Sequence, residues 1–534
     1  MTIPSQSSIQ TRRWAFGWSI TILLLSCVPY LIALYLAPDG WHFAGFLANP
    51  LDGHSYLAKM QQGAAGQWLF HLTYSPEPDE GAFIFIFYLA LGHLARLTHL
   101  PLIVMFHLAR LVAGFLLLTT AFQFICRVTP QPFEQRLAFG LLISASGLGW
   151  LGAMLGAFPI DLWVPEAFVP YSLYTNPHFP LAMALMLLIF QQIIWPPQGM
   201  IKDNSRLPTT QALGPLAKTG LVGLVLALIL PFALLTTLAV LAVYMAQSYL
   251  WQRRLPWLQI WPTLSLAFFA SPVVVYDLWV STTQPMLAAW SAQNITAAPP
   301  LSDVIWGYGL VGLLAIGGGW FVLRAAWYLE QPGERLILIW AGTTLLLLYA
   351  PLDLQRRLIN GLHIPLCLLA AIGLNRALKD WPHWRHLCTV GLVTLGAVGT
   401  LFVWVLPLLS LGQAPTVSGI SARLFVRAEE QAVFNWLREN STPEAVILAG
   451  PRLGMFIPGQ TGNRVWYGHP FETVRAGQKE AALLAFYRGQ SDPPALVDFI
   501  IYGSDEQALG QPKNLDTYSV VFSTKTITLY EVKN

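Results

Sequence analysis

The segment GAFIFIFYLALGHLARL, residues 81–97, decides how this chain sits in a membrane. It is apolar enough to cross a bilayer but only seventeen residues long, where a spanning helix needs about 20. Its polar end carries His93 and Arg96. Counting lysines and arginines beside the apolar runs settles its reading. If the segment lies in the interface and the N-terminus is cytoplasmic, the inner side holds Arg12, Arg13, Arg127, Arg136, Lys202, Arg206, Lys218, Arg253, Arg254, Arg324, Arg335, Arg376, Lys379 and Arg385. The outer short loops then hold only Lys59, Arg96, Arg356 and Arg357. If the segment spans, nearly all of this inverts. It is therefore expected to be interfacial.

Outward from that segment, the composition is that of an integral membrane protein with a polar appendage. Of 534 residues, 55% are hydrophobic and 11% charged, against about a quarter charged in soluble domains. Spans are expected near 14–36, 103–126, 136–157, 179–195, 217–231, 233–250, 257–280, 304–325, 335–352, 358–377 and 387–408. The run from Trp14 is too long for a signal peptide and lacks a small-x-small cleavage site, so it reads as an uncleaved first span. Pro231, in LILPFALL, marks a turn between two short helices or a kink in one. The transmembrane module covers 1–411, with a first outer loop at 37–102 and a second at 158–178. The chain is expected to cross an inner (plasma) membrane several times, with its N-terminus in the cytoplasm and its C-terminal domain, 412–534, outside the cell or in the periplasm.

From about Gln413 the pattern changes. RAEEQAVFNWLREN (427–440) has the spacing of an amphipathic helix, and VRAGQKEAALLAFYRG (474–489) reads as another. EAVILAG, DFIIYGS, YSVVFS and TITLYEV read as strands. Residues 412–534 are thus expected to form a small α/β domain. Within it, RVWYGHPFET (464–473) is either a structural turn or, through Trp466, Tyr467, His469 and Glu472, an acceptor-binding element.

The four cysteines, Cys27, Cys126, Cys367 and Cys388, lie in or beside apolar segments without metal-binding spacing, and read as small buried hydrophobes. The net charge of +3 gives no nucleic-acid footprint. Ionisable groups beside a bilayer carry the functional signal. In LDGHSYLAKMQQGAAGQW (51–68), Asp52 precedes a helical pattern with Tyr56, Met60 and Gly63 on one side. Asp52 either caps that helix or serves as a general base for an acceptor hydroxyl at the membrane surface, with His54, Tyr56 and Lys59 beside the substrate. YSPEPDEG (74–81) offers Glu77, Asp79 and Glu80 as a solvated turn or as oxygen ligands for a cation.

The second outer loop, PIDLWVPEAFVPYSLYTNPHFP (159–180), sets Asp161, Glu166 and His178 among aromatic rings suited to stacking on a sugar. APLDLQRRLINGLHIP (350–365) places Arg356 and Arg357 on the outer side against the charge rule. Guanidinium forks match phosphate oxygens, which an outer-leaflet phosphate or pyrophosphate lipid supplies; pairing with Asp353 or head groups is the alternative. Arg110, with His107, lies inside the second span and needs a partner, either a neighbouring helix or substrate.

This combination resembles the C-type (GT-C) polytopic glycosyltransferases, which include protein O-mannosyltransferases and lipid A aminoarabinose transferases. The resemblance covers the first outer loop and about the first seven spans. It rests on PLDGHSYLAKMQQGAAGQW, the apolar helix at 81–97, HLARLVAGFLLLTTAFQFICR (107–127) with Arg110 near its start, and the short-helix pair around Pro231. It implies that Asp52 is the first-loop catalytic acid, with Asp161 or Glu166 at the acidic position of the second loop. Many relatives carry a paired acid where this chain has Asp52-Gly53, and the basic residue sometimes found after the first acid is absent.

The reaction implied is an inverting transfer from a polyprenyl-phosphate-linked sugar to a hydroxyl of a glycan, lipid or protein. Arg356 and Arg357 stabilise the departing phosphate. A divalent cation, Mg or Mn, is an option that no ligand spacing demands. A flippase for lipid-linked saccharides is the competing reading, but no internal symmetry is visible and the charges cluster on the outer face rather than at mid-bilayer. A catalytically inactive scaffold is the third.

Overall fold

The computed structural model describes residues 6–197, 199–200, 207–325, 330–409, 411 and 420–532. Helices stand at all eleven expected places. Eight of these stretches are long and apolar enough to cross a membrane: Ile9–Tyr35, Leu102–Val128, Pro132–Met154 (with a break inside it), Thr210–Ile229 (opening on a 3₁₀ turn), Pro231–Gln252, Trp257–Thr283, Leu301–Arg324 and Pro382–Leu409. The other three places hold shorter helices, His178–Ile194, Pro332–Leu348 and His363–Ala377. Lys202 and Arg206 lie outside the described residues. At Pro231 two separate helices, Leu213–Ile229 and Pro231–Gln252, meet at a non-helical Leu230. They contain 17 and 22 residues, so neither is a half-helix.

The chain resolves into two compact units. One comprises Met1–Cys27, Ala109–Val275 and Thr296–Val405; the other comprises Val28–Leu108, Tyr276–Ile295 and Leu406–Asn534. The first outer loop therefore belongs with the C-terminal segment. The expected boundary at 411/412 opens onto residues 412–419, which are outside the described residues.

In the helical unit the expected third span is interrupted. Helix Pro132–Ser144 ends, residues 145–148 are irregular, and a short helix runs Gly149–Met154. Non-helical backbone among apolar helices survives only when its polar groups find partners. Here Ser146 N–H donates to Gly396 O at 3.1 Å and Leu148 N–H to Trp306 O at 3.0 Å. Glycine makes the crossing possible: a Cβ on Gly147 would lie 1.8 Å from the Gly307 carbonyl oxygen. Helices Leu301–Arg324 and His363–Ala377 also cross through glycines, since a Cβ on Gly318 would sit 1.9 Å from Leu369 O.

The second unit contains all the strands among the described residues. β1 (Trp41–Phe43) comes from the first outer loop and pairs antiparallel with β2 (Phe425–Arg427). The remaining five, β3 (Val446–Leu448), β4 (Arg464–Val465), β5 (Phe499–Tyr502), β6 (Ser519–Ser523) and β7 (Thr528–Glu531), form one sheet in the order β4-β3-β5-β7-β6. β3 is parallel to β4 and β5, while β7 runs antiparallel to β5 and β6. Alternation sorts the strand residues onto two faces. Ile447 and Ile501 join Phe434, Phe456 and Leu529 on one side, and Leu448 and Ile500 join Leu483, Phe486 and Tyr487 on the other. The helices expected at 427–440 and 474–489 appear as Ala428–Asn440 and Ala476–Tyr487. Helix Pro451–Thr461 and strand β4 were not anticipated.

The segment at 81–97 forms helix Ile86–Thr98. It lies against helix Pro50–Ala64 at backbone distance. A Cβ on Gly63 would stand 2.0 Å from Leu89 O, and one on Gly92 2.0 Å from Met60 O. The face predicted from Tyr56, Met60 and Gly63 is the one that makes this contact, with Tyr56 stacked on Tyr88 at 4.4 Å.

Candidate functional site

Asp52 occupies the first turn of helix Pro50–Ala64 and is half-buried. The cap position belongs to Asn49, in the left-handed region at φ 47°, and Asp52 stands three residues inside it, in the first turn. At the third helical position its charge is favoured by the helix dipole. Gly53 explains the missing second acid: a Cβ there would be 2.4 Å from the Phe46 ring.

Several neighbours of Asp52 are absorbed by packing. His54, expected at the substrate, is fully buried, its ring edge-on to Phe456 at 4.5 Å and Phe46 at 5.2 Å. Burial, assisted by His469, pushes its pKa down to about 3. It is a neutral core residue. Lys59, also expected at the substrate, is 2% exposed and ion-paired with Glu472 at 2.8 Å. Its ammonium donates to Ser55 Oγ at 2.5 Å and sits over the Phe85 ring at 4.5 Å. A narrow crevice beside it, with no room for a water molecule, is lined by Ser55, Lys59, Phe70, Tyr74 and Glu472, among others. Tyr56 stays half-buried with Asp52.

Of the acids of 74–81, Glu80 is exposed as a solvated turn would have it, while Asp79 and Glu77 are paired with basic side chains. Asp79 pairs with His71 at 2.8 Å and Arg464 at 3.1 Å, and Glu77 with Lys479 at 2.5 Å. Burial raises the Asp79 pKa, but the bonds and charges of His71 and Arg464 together hold it below the ordinary value. Among the described residues no group of three or more His, Cys, Asp or Glu side chains is placed to hold a metal ion.

In the helical unit, Asp161 is 1% exposed and accepts Gly149 N–H at 3.0 Å and Gly147 N–H at 3.1 Å. It accepts from the backbone of the broken segment 145–148 and of Gly149, so this candidate acid of the second outer loop is buried and already engaged. Burial pushes its pKa up to about 7 against those backbone bonds. Glu166 is buried too, 3.9 Å from Arg356 Nε. Arg356 lies over the Trp163 ring at 5.0 Å and Arg357 over Phe232 at 5.0 Å. Both are half-buried, on the short 3₁₀ turn Gln355–Ile359, and both Nε atoms are buried without a hydrogen-bond partner. The carboxylate beside Arg356 is Glu166, while Asp353 is exposed.

Arg110, expected at the substrate or in a helix-to-helix ion pair, is 1% exposed and donates to Leu173 O at 2.7 Å and Ser26 Oγ at 2.9 Å. It ties neutral oxygens of two segments together. His178 begins helix His178–Ile194, is buried, and stacks at a tilt on Phe179 at 4.0 Å. Sequence reading missed the pairing of Glu472 with Lys59. A lysine on the inner face of a short amphipathic helix signals that a carboxylate must meet it, but does not say which.

No protein-family model matches the chain, and no curated protein matches it in sequence. Solved structures do. ArnT from Cupriavidus metallidurans in the apo state superposes with a TM-score of 0.54 at 14% identity, over 96% of this chain and 97% of that one. The same protein bound to undecaprenyl phosphate gives 0.53 at 14% identity, over 96% and 98%. The apo oligosaccharyltransferase of Archaeoglobus fulgidus gives 0.52 at 12%, over 92% of this chain and 71% of that one. The fold is GT-C.

Proposed function

We propose that this GT-C protein is a membrane glycosyltransferase that moves a sugar from a polyprenyl-phosphate donor to an acceptor hydroxyl on the outer face of the membrane. The observation that carries this reading is Asp52. In the first two turns of helix Pro50–Ala64, His54 and Ser55 are buried in the core, whereas the Asp52 carboxylate stays half-exposed at the helix start. An acid so placed removes the proton from the acceptor hydroxyl as its oxygen attacks the anomeric carbon, and the configuration inverts. The bond to the lipid phosphate breaks as the new glycosidic bond forms. Arg356 and Arg357, whose Nε–H groups have no hydrogen-bond partner among the described residues although Glu166 lies 3.9 Å from Arg356, serve the departing phosphate. The undecaprenyl phosphate bound by ArnT, a structure of the same fold, supports a polyprenyl carrier. The distribution of basic residues supports a cytoplasmic N-terminus and an extracytoplasmic C-terminal segment in the inner membrane.

The direct test is polyprenyl phosphate release in isolated membranes, wild type against Asp52→Asn. Loss of a general base costs about 10²- to 10⁴-fold. Equal release from both would remove Asp52 from the mechanism.

A further inference from the structure

Lys59 raises a question that the proposed transfer does not answer. A buried ammonium is costly unless paired and fully hydrogen-bonded, and this one lies on the helix that carries Asp52. Its partners come from three places. Ser55, one turn earlier on the same face, accepts from Nζ at 2.5 Å. Phe85 and Phe70 present their ring faces at 4.5 and 5.3 Å. Glu472, over 400 residues further along the chain, closes the triangle: its Oε1 accepts from Ser55 Oγ at 2.6 Å and from Lys59 Nζ at 2.8 Å.

Glu472 is delivered by a stiff turn. His469 Nδ1 accepts the N–H groups of Phe471 at 3.1 Å and Glu472 at 3.2 Å. With Nδ1 an acceptor twice over, the ring proton stays on Nε2. That nitrogen is buried beside the Leu51 carbonyl, without hydrogen-bond geometry, and the ring lies in the field of Asp52. Gln293 pins the turn from outside, donating to Thr473 O at 2.8 Å. Burial raises the Glu472 pKa, but the Lys59 charge, the His469 ring when it is protonated, and the bonds from Lys59 and Ser55 outweigh it and hold it at about 2. Glu472 is therefore a carboxylate at neutral pH, and its charge offsets that of the ammonium it binds.

We propose that the turn His469–Glu472 is a positioning element for Asp52, with Glu472 clamping the acid's helix through Ser55 and Lys59 and cancelling the lysine charge that Asp52 would otherwise meet. This rests on the reading of Asp52 as the base. Titratable groups that face Asp52 from neighbouring elements include His469 in the turn and Tyr88 on helix Ile86–Thr98; His54, Tyr56 and Lys59 share its own helix. Lys59 lies seven residues from Asp52, ~10 Å along the axis. At that range an uncompensated unit charge shifts a carboxyl titration by about one pH unit.

The experiment uses the full chain in membranes with Glu472→Gln, Lys59→Met and the double variant. Asp52 protonation is followed by carbodiimide labelling against pH, read by peptide mass spectrometry, so it needs no knowledge of the sugar. Glu472→Gln leaves a bare ammonium and lowers the Asp52 midpoint by about one pH unit. Lys59→Met leaves a bare carboxylate and raises it by a similar amount, and the double variant restores the wild-type midpoint. A merely structural contact would not move the midpoint in opposite directions. Shifts of the same sign, or no restoration, overturn the proposal. If Lys59→Met does not reach the membrane, Glu472→Gln decides alone, because Gln keeps an acceptor oxygen for Ser55 and Lys59: an unmoved or raised midpoint overturns the inference. Polyprenyl phosphate release is then profiled against pH in the same membranes. An acid limb that tracks the labelling midpoint supports both ideas. A limb that ignores a moving midpoint removes Asp52 as the base while the clamp stands, and an unmoved midpoint with release abolished in Asp52→Asn removes the clamp alone.

Discussion

His54 shows why a polar residue next to a catalytic candidate need not share its task. Two residues from Asp52, it faces inward between Phe46 and Phe456, and its pKa is held at about 3. In the unfolded chain it titrates near 6.5, so a lowered folded value means that protons bind the unfolded state first. Its contribution to stability is complete above pH 6.5 and is lost as pH falls toward 3. His54→Leu is therefore expected to gain over wild type as the medium is acidified, by about 2 kcal/mol at pH 5 and nothing above pH 7.5. Thermal unfolding of both proteins in detergent across that range checks this. Polyprenyl phosphate release should persist in the variant; its collapse at unchanged stability would return His54 to the substrate. The place of Asp52 in a first helical turn was legible because a helix start beside an apolar run is a local pattern; the partners of other residues expected at the site were less so. Those of Lys59, Asp161 and Arg110, namely Glu472, the Gly147 and Gly149 amides and the Leu173 carbonyl, are fixed only by packing.

Elements were read more surely than their joints. The helix at 81–97 and the strands of the C-terminal segment appeared because amphipathic spacing and β-branched runs dictate local structure whatever surrounds them. Breaks were harder. The interruption at 145–148 sits in an apolar run, and only Asp161, Gly396 O and Trp306 O make it tolerable. Helix Pro50–Ala64 depends on a similar long-range match at Gly63. Gly63→Ala drives a methyl group into the Leu89 carbonyl and is expected to cost about 1–3 kcal/mol as overpacking. Gly140→Ala, where a Cβ meets nothing within 4 Å, should be neutral or stabilising because alanine is the better helix former. Thermal melts of the two variants should separate clearly; equal melting temperatures would mean that helices Pro50–Ala64 and Ile86–Thr98 can move apart at no cost.

For the whole molecule, the C-terminal segment is not a detachable appendage. β1 of the first outer loop pairs with β2, and the Lys59–Glu472 pair, the Arg464–Asp79 pair and the Tyr74 bond to Met455 O (2.9 Å) join the same two stretches. Removing residues 412–534 strands a buried lysine and exposes the apolar face formed by Ala58 and its neighbours. The truncated chain should lose protease resistance in its first outer loop, measured by limited proteolysis of membranes. Sidedness is open to cysteine labelling: Phe471→Cys, at a position 62% exposed, should react with an impermeant maleimide in intact cells. Lys218→Cys should react only after permeabilisation, and the reverse pattern would invert the topology.

The membrane character, the places of the eleven apolar helices, the α/β nature of the C-terminal segment and the candidacy of Asp52 follow from the sequence alone, because hydrophobic runs, helical spacing and charge asymmetry are properties of neighbouring residues. Tertiary structure decided which polar groups are already engaged. It buried Lys59 against Glu472, closed Asp161 onto backbone amides and joined a loop near the start of the chain to its last hundred residues. A buried charge accepts whichever partner the fold brings within hydrogen-bond reach, and separation along the chain carries no information about that distance.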